Sequence, residues 1–360
     1  MTGLLPEGFH DRLPPLADAA ARLERRVLDV AHAHGYEQVD PPLAEFEASL
    51  SQRLKAARAN DAVRFVDPVS QKSLAIRPDM TAQVGRIAAT RMAHHPRPVR
   101  LSYAGAVLKL RASELRPARA LRQIGCELIG LDSVAAAREI VGVAVEALGE
   151  AGVRALSIDF TLPDLIDAIG DGVAEELRDC LDAKDAAGVA AIDPSYLPLI
   201  EAAGPFGDAI ERLRKGQHGT ALATRLDGLA AIADALPASV ALTLDPTERH
   251  GFEYQSWLGF SIFARGLRGE IGRGGSYAVL HEDGAEEAAI GFSLFPDAIL
   301  DAGLARGERR RLFVPVGTEP DAAAALRGQG WVTVAALTPG DTPQAQLCTH
   351  LLSPEGPVSI

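Results

Sequence analysis

Three groups of polar residues in this 360-residue chain combine side-chain types that could bind a small polar cation. Carboxylates accept hydrogen bonds from an amine or a ring N–H, and amides, hydroxyls and phenols add directional contacts in the same pocket. The groups are Arg77-Pro78-Asp79-Met80-Thr81, Gln123 with Glu127, and Glu253-Tyr254 with Gly274-Gly275-Ser276-Tyr277. Gln123 and Glu127 are four positions apart, so on a strand both point to the same face. The pattern predicts a polar pocket, with the stretch RHGFEYQSW at 249–257 as one wall.

Each group also has a purely structural interpretation, which the residue types alone leave open. Asp79 or Thr81 can be the N-cap of a following helix. Gln123 and Glu127 can lie on a solvated sheet face, and Gly274-Gly275 can form a hairpin turn. Four arginines between two predicted strands are typical of a solvated loop, with a phosphate or a partner protein as the alternative. They are Arg111, Arg116, Arg119 and Arg122.

The composition is that of a folded, acidic protein without a metal or disulfide signature. Its residues are 47% hydrophobic and 23% charged, and its formal net charge of −12 opposes nucleic-acid binding by the overall field. Cys126, Cys180 and Cys348 form no CxxC pair and the nine histidines form no HExxH motif, so we expect neither a metal site nor disulfides. The N-terminus has no secretory signal pattern and no apolar run of about 18 residues occurs, so we expect a cytoplasmic protein.

The hydrophobic pattern predicts the elements that must position the candidate residues. Residues 15–34 have apolar positions at helical spacing, and Gly35 ends that helix. Further helices are predicted after Asp79, after Ser133 and from a start near Ser293 or Pro296. Strands or hairpins are predicted at 36–40, 61–77, 99–110, 122–131, 154–162, 239–246, 252–266 and 267–280.

Two segments differ from this alternation of helices and strands. The alanine-rich stretch at about 163–237 has few β-branched runs and predicts a helical insert. Residues 310–337 predict a strand–helix–strand unit, followed by a polar end that contains prolines. Because the strands follow in meander order and the helices are segregated, the pattern predicts an α+β fold on an antiparallel sheet, with a small C-terminal α/β appendage.

Several of these stretches together resemble the catalytic domain of histidyl-tRNA synthetase over residues 4–300. In chain order they are LLPEGFHDRLPP, GYEQVDPPLAEFEASL, IRPDMTAQVGRIAATR, LSYAGAVLKL, RQIGCELIG, and FEYQSW followed by GRGGSY. The resemblance implies a class II aminoacyl-tRNA synthetase-like domain at 1–305, an antiparallel sheet flanked by helices, and a reduced C-terminal α/β segment at 306–360. It also implies a dimer formed through the N-terminal helix and the GYEQVDPP strand.

The resemblance further implies which residues would bind a histidine-like ligand. The positions that match the synthetase pocket are Asp79, Thr81, Gln123, Glu127, Tyr254 and Tyr277. In this assignment the Glu127 carboxylate accepts a hydrogen bond from the imidazole, and Asp79 contacts the ammonium group. The second tyrosine of the enzyme's tyrosine pair falls on Gln255, which is a departure from the family pattern.

The positions that match the synthetase's ATP site depart from the family pattern further. Amino-acid activation needs cationic groups on the ATP phosphates, because negative charge develops there during the displacement. One of the enzyme's arginines falls on Lys109, which keeps the charge but loses the bidentate fork. Another falls on Ala298, and a third falls on His250, with Arg249 one position earlier. These changes argue against amino-acid activation.

A synthetase body with a histidine pocket, an altered ATP site and a shortened tail is similar to a paralogous family, the regulatory subunits of ATP phosphoribosyltransferase. That resemblance implies a non-catalytic subunit without a cofactor. It joins the short-form catalytic subunit in a hetero-oligomer, in the first step of L-histidine biosynthesis. It is required for activity and for feedback by L-histidine, and it is not expected to bind tRNA or a membrane. The alternatives are an active histidyl-tRNA synthetase of unusual form and a ligase that attaches an amino acid to a protein or carrier.

Overall fold

The structure, a computed structural model, describes residues 4–51, 62–111, 118–170, 173–216, 219–249, 255–304 and 310–360. The chain divides into two compact units, Met1–Ala305 and Arg306–Ile360. Within the described ranges, no helix has the length and apolar character needed to cross a membrane.

The first unit contains most of the helices and strands. Its helices are α1 (Leu16–Ala33), α2 (Glu47–Ser51), α3 (Thr81–Thr90), α4 (Val134–Glu150), α5 (Leu165–Ile169), α6 (Glu175–Asp182), α7 (Ala186–Ile192), α8 (Leu197–Glu201), α9 (Phe206–Lys215), α10 (Gly219–Ala233) and α11 (Asp297–Asp301). Its strands are β1 (Glu37–Gln38), β2 (Ala44–Phe46), β3 (Val63–Val66), β4 (Ser73–Ile76), β5 (Val99–Leu108), β6 (Ala120–Ile129), β7 (Leu156–Thr161), β8 (Gly204–Pro205), β9 (Ala241–Asp245), β10 (Gln255–Ala264), β11 (Gly272–Leu280) and β12 (Glu286–Leu294).

One large sheet carries the candidate site. In the described part of the chain it has nine strands in the order β1-β5-β6-β12-β11-β10-β7-β9-β8. Neighbouring strands are antiparallel from β5 through β7, as predicted, whereas β1 pairs with β5 and β9 with β7 in parallel. The sheet is therefore mixed, with an antiparallel centre. A separate antiparallel sheet contains β2, β4 and β3.

The two faces of the large sheet are packed against different helices. Along β6, Ile124, Cys126 and Leu128 point into a core shared with α1 and α4. Ile129 points to the other face, where it joins residues of α3 such as Val84. Because side chains alternate along a strand, β6 has one face in each core. Gln123 and Glu127 therefore point to the α3 face, which is the face of the candidate site.

Helices α1 and α4 form as the sequence predicts. The buried positions of α1 recur every three or four residues and form one apolar stripe, after which Gly35 takes the left-handed conformation at φ +82°. Helix α4 begins after Ser133, whose side chain accepts a hydrogen bond from the backbone N–H of Ala136 at 3.1 Å. The two helices pack against each other and hold the rear of the sheet in place.

Strand β12 lies where the sequence predicted the start of a helix. Ser293 belongs to β12, between Gly125 of β6 and Arg273 of β11, so the predicted helix start near Ser293 is wrong. Helix α11 begins four residues later at Asp297, next to the alternative start at Pro296. Residues 289–294 are all buried. A strand covered on both faces has no hydrophobic alternation, so period-based reasoning could not distinguish it from a buried helix.

The predicted helical insert is present, and its described residues contain α5 to α10. They also contain β8, a two-residue strand that pairs with Leu244 and Thr243 of β9 and extends the sheet edge. The helices bury a few apolar side chains each, such as Leu177 and Leu181 of α6. The insert thus belongs to the same core as β7 and β9.

The second unit contains β13 (Arg311–Val314), α12 (Pro320–Gly328), β14 (Val332–Ala335), β15 (His350–Ser353) and β16 (Gly356–Ser359). Strand β13 pairs in parallel with β14 and β15, and β15 pairs with β16 in an antiparallel hairpin. The predicted strand–helix–strand unit is confirmed. The polar end that follows it, for which no strand was predicted, forms the β15–β16 hairpin.

Candidate functional site

The candidate site is centred on Glu127, a fully buried carboxyl on β6. Its side chain accepts a hydrogen bond from the Tyr103 hydroxyl on β5 at 2.9 Å, and a second one from the Tyr277 hydroxyl on β11 at 2.7 Å. The residue is 1% exposed, so the alternative of a solvated sheet face is wrong for it. Two phenols from different strands therefore fix the orientation of this carboxyl.

Burial decides the protonation of Glu127. Removal from water raises its pKa from 4.5 to about 8, because the ionised form is poorly solvated there. The hydrogen bonds from Tyr277 and Tyr103 oppose this increase, and the nearby Asp79 carboxylate adds to it. The pKa of Tyr103 is also raised, first by burial and then by the Glu127 charge. At neutral pH the carboxyl holds a proton unless a cation is bound beside it.

Gln123 lies four residues before Glu127 on the same face of β6 and connects three elements. Its Nε2 donates to Asp79 Oδ2 at 2.9 Å and to the Ser293 hydroxyl at 2.7 Å. Its Oε1 accepts from the backbone N–H of Met80 at 3.0 Å. Gln123 is 0% exposed, so the solvated-face alternative is wrong for it as well. Its amide groups are committed to holding the start of α3 against the sheet.

Neither Asp79 nor Thr81 is the N-cap of α3, because the helix begins at Thr81 and Met80 occupies the N-cap position without a side-chain cap. Asp79 Oδ1 accepts from the Thr81 backbone N–H at 2.7 Å, a local bond that supports the first turn of α3. Its other oxygen faces Gln123. The Thr81 hydroxyl lies 3.4 Å from the Tyr103 hydroxyl and so joins the group around Glu127.

Glycines of adjacent strands form the floor of the site. Gly275 of β11 is paired with Gly291 of β12 and with Gly259 of β10. A Cβ at Gly291 would collide with the Glu127 carboxyl, and a Cβ at Gly275 would collide with the Gln255 amide. The Gly274-Gly275 pair lies within β11, so the alternative of a hairpin turn is wrong. Glycine is needed here because side chains from neighbouring strands cross the floor.

A small, partly open cavity lies over this floor. It is lined by Asp79, Thr81, Glu127, Gln255, Arg273, Gly274, Gly275, Tyr277, Gly291, Phe292, Ser293 and Phe295. Four predicted pocket residues thus line one space, and the fifth, Gln123, holds one of them in place. Tyr254 and Glu253 lie outside the described residues.

Sequence reasoning missed two side chains of the site, Tyr103 and Ser293. The Ser293 hydroxyl lies 3.1 Å from the Tyr103 hydroxyl and connects it to Gln123. The assignment of Ser293 to a helix start concealed its position. Tyr103 is placed by its register opposite Gly125, which no local sequence pattern shows.

The positions that match the synthetase's ATP site contain no comparable cluster in the described residues. Ala298 lies in α11 and packs against the core, while Asp297 beside it forms an ion pair with Arg12. Lys109 follows β5, and its backbone N–H donates to the Arg119 carbonyl at 2.9 Å. His250 lies outside the described residues.

Three arginines near these positions, Arg249, Arg122 and Arg119, have partners within the protein, while Arg111 is exposed. Arg249 Nη2 lies 3.1 Å from Asp182 Oδ2 at the end of α6. Arg122 pairs with Glu24 of α1, and the guanidinium of Arg119 lies 5.1 Å from the centre of the Phe9 ring. Arg116 lies outside the described residues. Arg249 lies one position before His250, where the resemblance places an arginine of the ATP site. Its guanidinium is paired with Asp182 of the helical insert instead.

Comparison with known proteins identifies the family. A family model for histidyl-tRNA synthetase matches residues 8–299. The ATP phosphoribosyltransferase regulatory subunit of Paramagnetospirillum magneticum is 42% identical, over 99% of this chain and 98% of its own. That of Rhodospirillum centenum is 41% identical, over 97% of this chain and 94% of its own. The chain belongs to the family of ATP phosphoribosyltransferase regulatory subunits.

Solved structures agree in fold. A protein of Bacillus halodurans described as an ATP phosphoribosyltransferase regulatory subunit/histidyl-tRNA synthetase has a TM-score of 0.77 at 21% identity, over 96% of both chains. The histidyl-tRNA synthetase of Nostoc sp. PCC 7120 has a TM-score of 0.73 at 14% identity, over 97% of this chain and 90% of its own. The regulatory-subunit family therefore shares the class II synthetase fold, here with a mixed sheet and a small C-terminal α/β unit.

Proposed function

We propose that this chain is the non-catalytic regulatory subunit of a two-component ATP phosphoribosyltransferase in the cytoplasm. It activates the short-form catalytic subunit in the first step of L-histidine biosynthesis and transmits feedback by L-histidine. The observation that carries the proposal is the contrast within one site. The pocket around Glu127 is built and buried, whereas the positions that would hold ATP phosphates are changed or bound elsewhere.

The pocket has the groups that a histidine ligand needs. The carboxyl of Glu127 is held by Tyr103 and Tyr277 and can accept from a ring N–H. Asp79, fixed by Gln123 at the start of α3, offers a carboxylate to the ammonium group. The pocket residues are Asp79, Thr81, Gln123, Glu127, Tyr254 and Tyr277, of which Tyr254 rests on the sequence alone.

The chain lacks cationic groups that amino-acid activation would need, so we propose that it does not catalyse this reaction. Adenylation of an amino acid needs cations at the triphosphate, and each missing hydrogen-bond donor of this kind costs about 2.7–4 kcal/mol of transition-state stabilisation. Ala298 has no charge to offer, and Arg249 is bound to Asp182. We do not propose tRNA as a partner of this chain.

Feedback requires that histidine binds one quaternary arrangement more tightly than another. A ligand with equal affinity for both states shifts nothing, and measured couplings of this kind are typically about 1–3 kcal/mol. We propose that the subunit forms a dimer through α1 and the β1 edge, within a hetero-oligomer with the catalytic subunit. Histidine in the Glu127 pocket then favours the inhibited arrangement.

Co-purification with the short-form catalytic subunit tests the proposal. ATP phosphoribosyltransferase activity is measured for the catalytic subunit alone, with this chain, and with this chain plus histidine. We expect activity only with this chain, and a decrease with histidine. A chain that fails to associate, and that alone catalyses histidine-dependent exchange of pyrophosphate into ATP, is an active synthetase instead. A chain that associates and activates but shows no response to histidine refutes the feedback part.

A further inference from the structure

The side-chain oxygen of Gln255 is buried without a hydrogen-bond partner. Gln255 is the first residue of β10 and is 8% exposed, and its Oε1 finds no donor among the residues that the structure describes. Burial of an unpaired amide oxygen is destabilising, because the oxygen has lost its hydrogen bonds to water and gained none in the protein. Such an atom within a cavity is therefore a point where a ligand donor would be stabilising.

The position of this oxygen relates it to Glu127. The Gln255 amide extends from β10 over Gly275 of β11, and the Glu127 carboxyl extends from β6 over Gly291 of β12. Gly275 and Gly291 are direct partners on adjacent strands, which lie about 4.8 Å apart. The two acceptors thus approach the same glycine floor from opposite sides, and both line the cavity.

The hydrogen-bond donors of this cavity are largely engaged by the protein. The two N–H groups of Gln123 donate to Asp79 and Ser293. The hydroxyls of Tyr103 and Tyr277 donate to Glu127. The charged group on the remaining wall, the Arg273 guanidinium, donates to both oxygens of Glu270 at 2.7 and 2.8 Å. Gln255 Oε1 and the Glu127 carboxyl are therefore two acceptors at which a ligand can place N–H donors.

We propose that Gln255 is a specificity-determining residue, whose Oε1 accepts a hydrogen bond from one ring N–H of the ligand while Glu127 accepts from the other. This inference rests on the proposed histidine pocket and deepens it. The occupant is an imidazole ring with hydrogen on both nitrogens, whose two N–H groups point away from each other as the two acceptors require.

The proton for the second ring nitrogen is available in the site. A neutral histidine ring brings one N–H, and the Glu127 carboxyl, whose pKa burial raises to about 8, holds a proton at neutral pH. Transfer of that proton to the ring forms an imidazolium beside a carboxylate, with no proton exchanged with solvent. Asp79 adds negative charge on the α3 side, and Tyr103 and Tyr277 donate to the carboxylate formed. The Arg273 guanidinium, which also lines the cavity, is paired with the Glu270 carboxylate.

The chain differs from the synthetase pattern at position 255 of the pocket. The enzyme family has a tyrosine where Gln255 stands, and a phenol hydroxyl can donate as well as accept. In the side-chain orientation of this structure the Gln255 oxygen faces the cavity and accepts, so the ring nitrogen opposite it carries hydrogen. In this orientation Gln255 favours ligands with two ring N–H groups.

Calorimetric titration with four ligands tests the inference: L-histidine, 1-methylhistidine, 3-methylhistidine and 3-(2-thienyl)alanine. Each methylhistidine lacks one ring N–H, and the thienyl analogue lacks both but keeps the ring size. The wild-type protein should bind each methylhistidine at least about 30-fold more weakly than histidine, since each loses one hydrogen bond to a buried charged or polar acceptor. Gln255→Met should weaken histidine about 10-fold and remove the penalty for only one of the two methylhistidines. Gln255→Glu should keep or tighten histidine binding.

The variants separate this inference from the proposed function. If histidine does not bind the wild-type protein, the histidine pocket itself is wrong. If histidine binds but Gln255→Met leaves its affinity and the methylhistidine pattern unchanged, only the role of Gln255 is wrong. If Gln255→Glu weakens histidine as much as Gln255→Met does, the residue acts through its N–H group, and the inference is overturned. Gln329→Met, at an exposed position in the second unit, is the matched control, and thermal melts establish that each variant is folded.

Discussion

The surroundings of Glu127 and the region around Arg249 and Ala298 differ in what their polar groups bind. Around Glu127, side chains from β5, β6, β11, β12 and the start of α3 bond to one another and leave acceptors facing a cavity. In the second region, Arg249 and Arg12 pair with Asp182 and Asp297, and Ala298 packs against the core. The polar groups of the first region thus face a cavity, whereas the arginines of the second region are paired with carboxylates of the protein.

The largest expected effect concerns the buried carboxyl itself. Because the pKa of Glu127 is about 8 in the folded chain and 4.5 in its ordinary state, the folded protein binds more protons than the unfolded one between these pH values. Its contribution to stability is fully present below about pH 4.5 and is lost as pH rises through 8. The total loss is on the order of 5 kcal/mol. Urea unfolding of the wild-type protein and Glu127→Gln across pH 5–8.5 measures it.

The comparison of the two proteins isolates this one group. Other titrating residues are common to both, so the difference in free energy of unfolding should shift in favour of Glu127→Gln as pH rises. A constant difference across the range would mean that the carboxyl titrates normally and that its burial is wrong.

The next effect is on histidine. Glu127→Gln keeps the side-chain shape but cannot form the carboxylate, so histidine binding should weaken by about 100-fold or more, which is the loss of a charge-assisted hydrogen bond. Inhibition of the hetero-oligomer should be lost in parallel, while activation of the catalytic subunit remains. Glu150→Gln, at an exposed position at the end of α4, is the control. Equal inhibition of both variants would place the histidine site elsewhere.

A smaller effect is expected from one of the two phenols. Tyr277→Phe removes the hydroxyl that donates to Glu127 at 2.7 Å, so the bound carboxylate loses one of its supporting hydrogen bonds. Histidine affinity should fall about 5- to 30-fold, corresponding to about 1–2 kcal/mol. Isothermal titration at constant pH measures this change. An unchanged affinity would show that Tyr277 has only a packing role.

The smallest effect is predicted for the ion pair between Arg249 and Asp182. Asp182→Asn breaks the ion pair of Arg249, and both side chains are about one quarter exposed, so stability should change by less than about 1 kcal/mol. Histidine-dependent exchange of pyrophosphate into ATP should stay at background, because a released Arg249 does not restore the charge missing at Ala298. Exchange above background in this variant would show that the insert suppresses a latent synthetase site.

The sequence by itself determined the elements whose patterns are local. The apolar stripe of α1, the Ser133 cap of α4, the composition of the helical insert and the four-residue spacing of Gln123 and Glu127 could each be recognised without a structure. The resemblance to the synthetases then supplied the fold, an antiparallel sheet flanked by helices, and a set of pocket positions to examine. These features depend on neighbours in the chain or on short fixed spacings, so sequence reasoning could find them.

Only the tertiary structure decided how the pocket is arranged. Strand β12 lies buried between β6 and β11, so its pattern lacked alternation, and Ser293 was assigned to a helix although its hydroxyl accepts a hydrogen bond from Gln123. The partners of Arg249 and Arg12 depend on packing between elements far apart in the chain. The Gln255 amide lies over the cavity floor because Gly275 has no side chain to block it. Strand register, which no local pattern encodes, places Gly275 opposite Gly291.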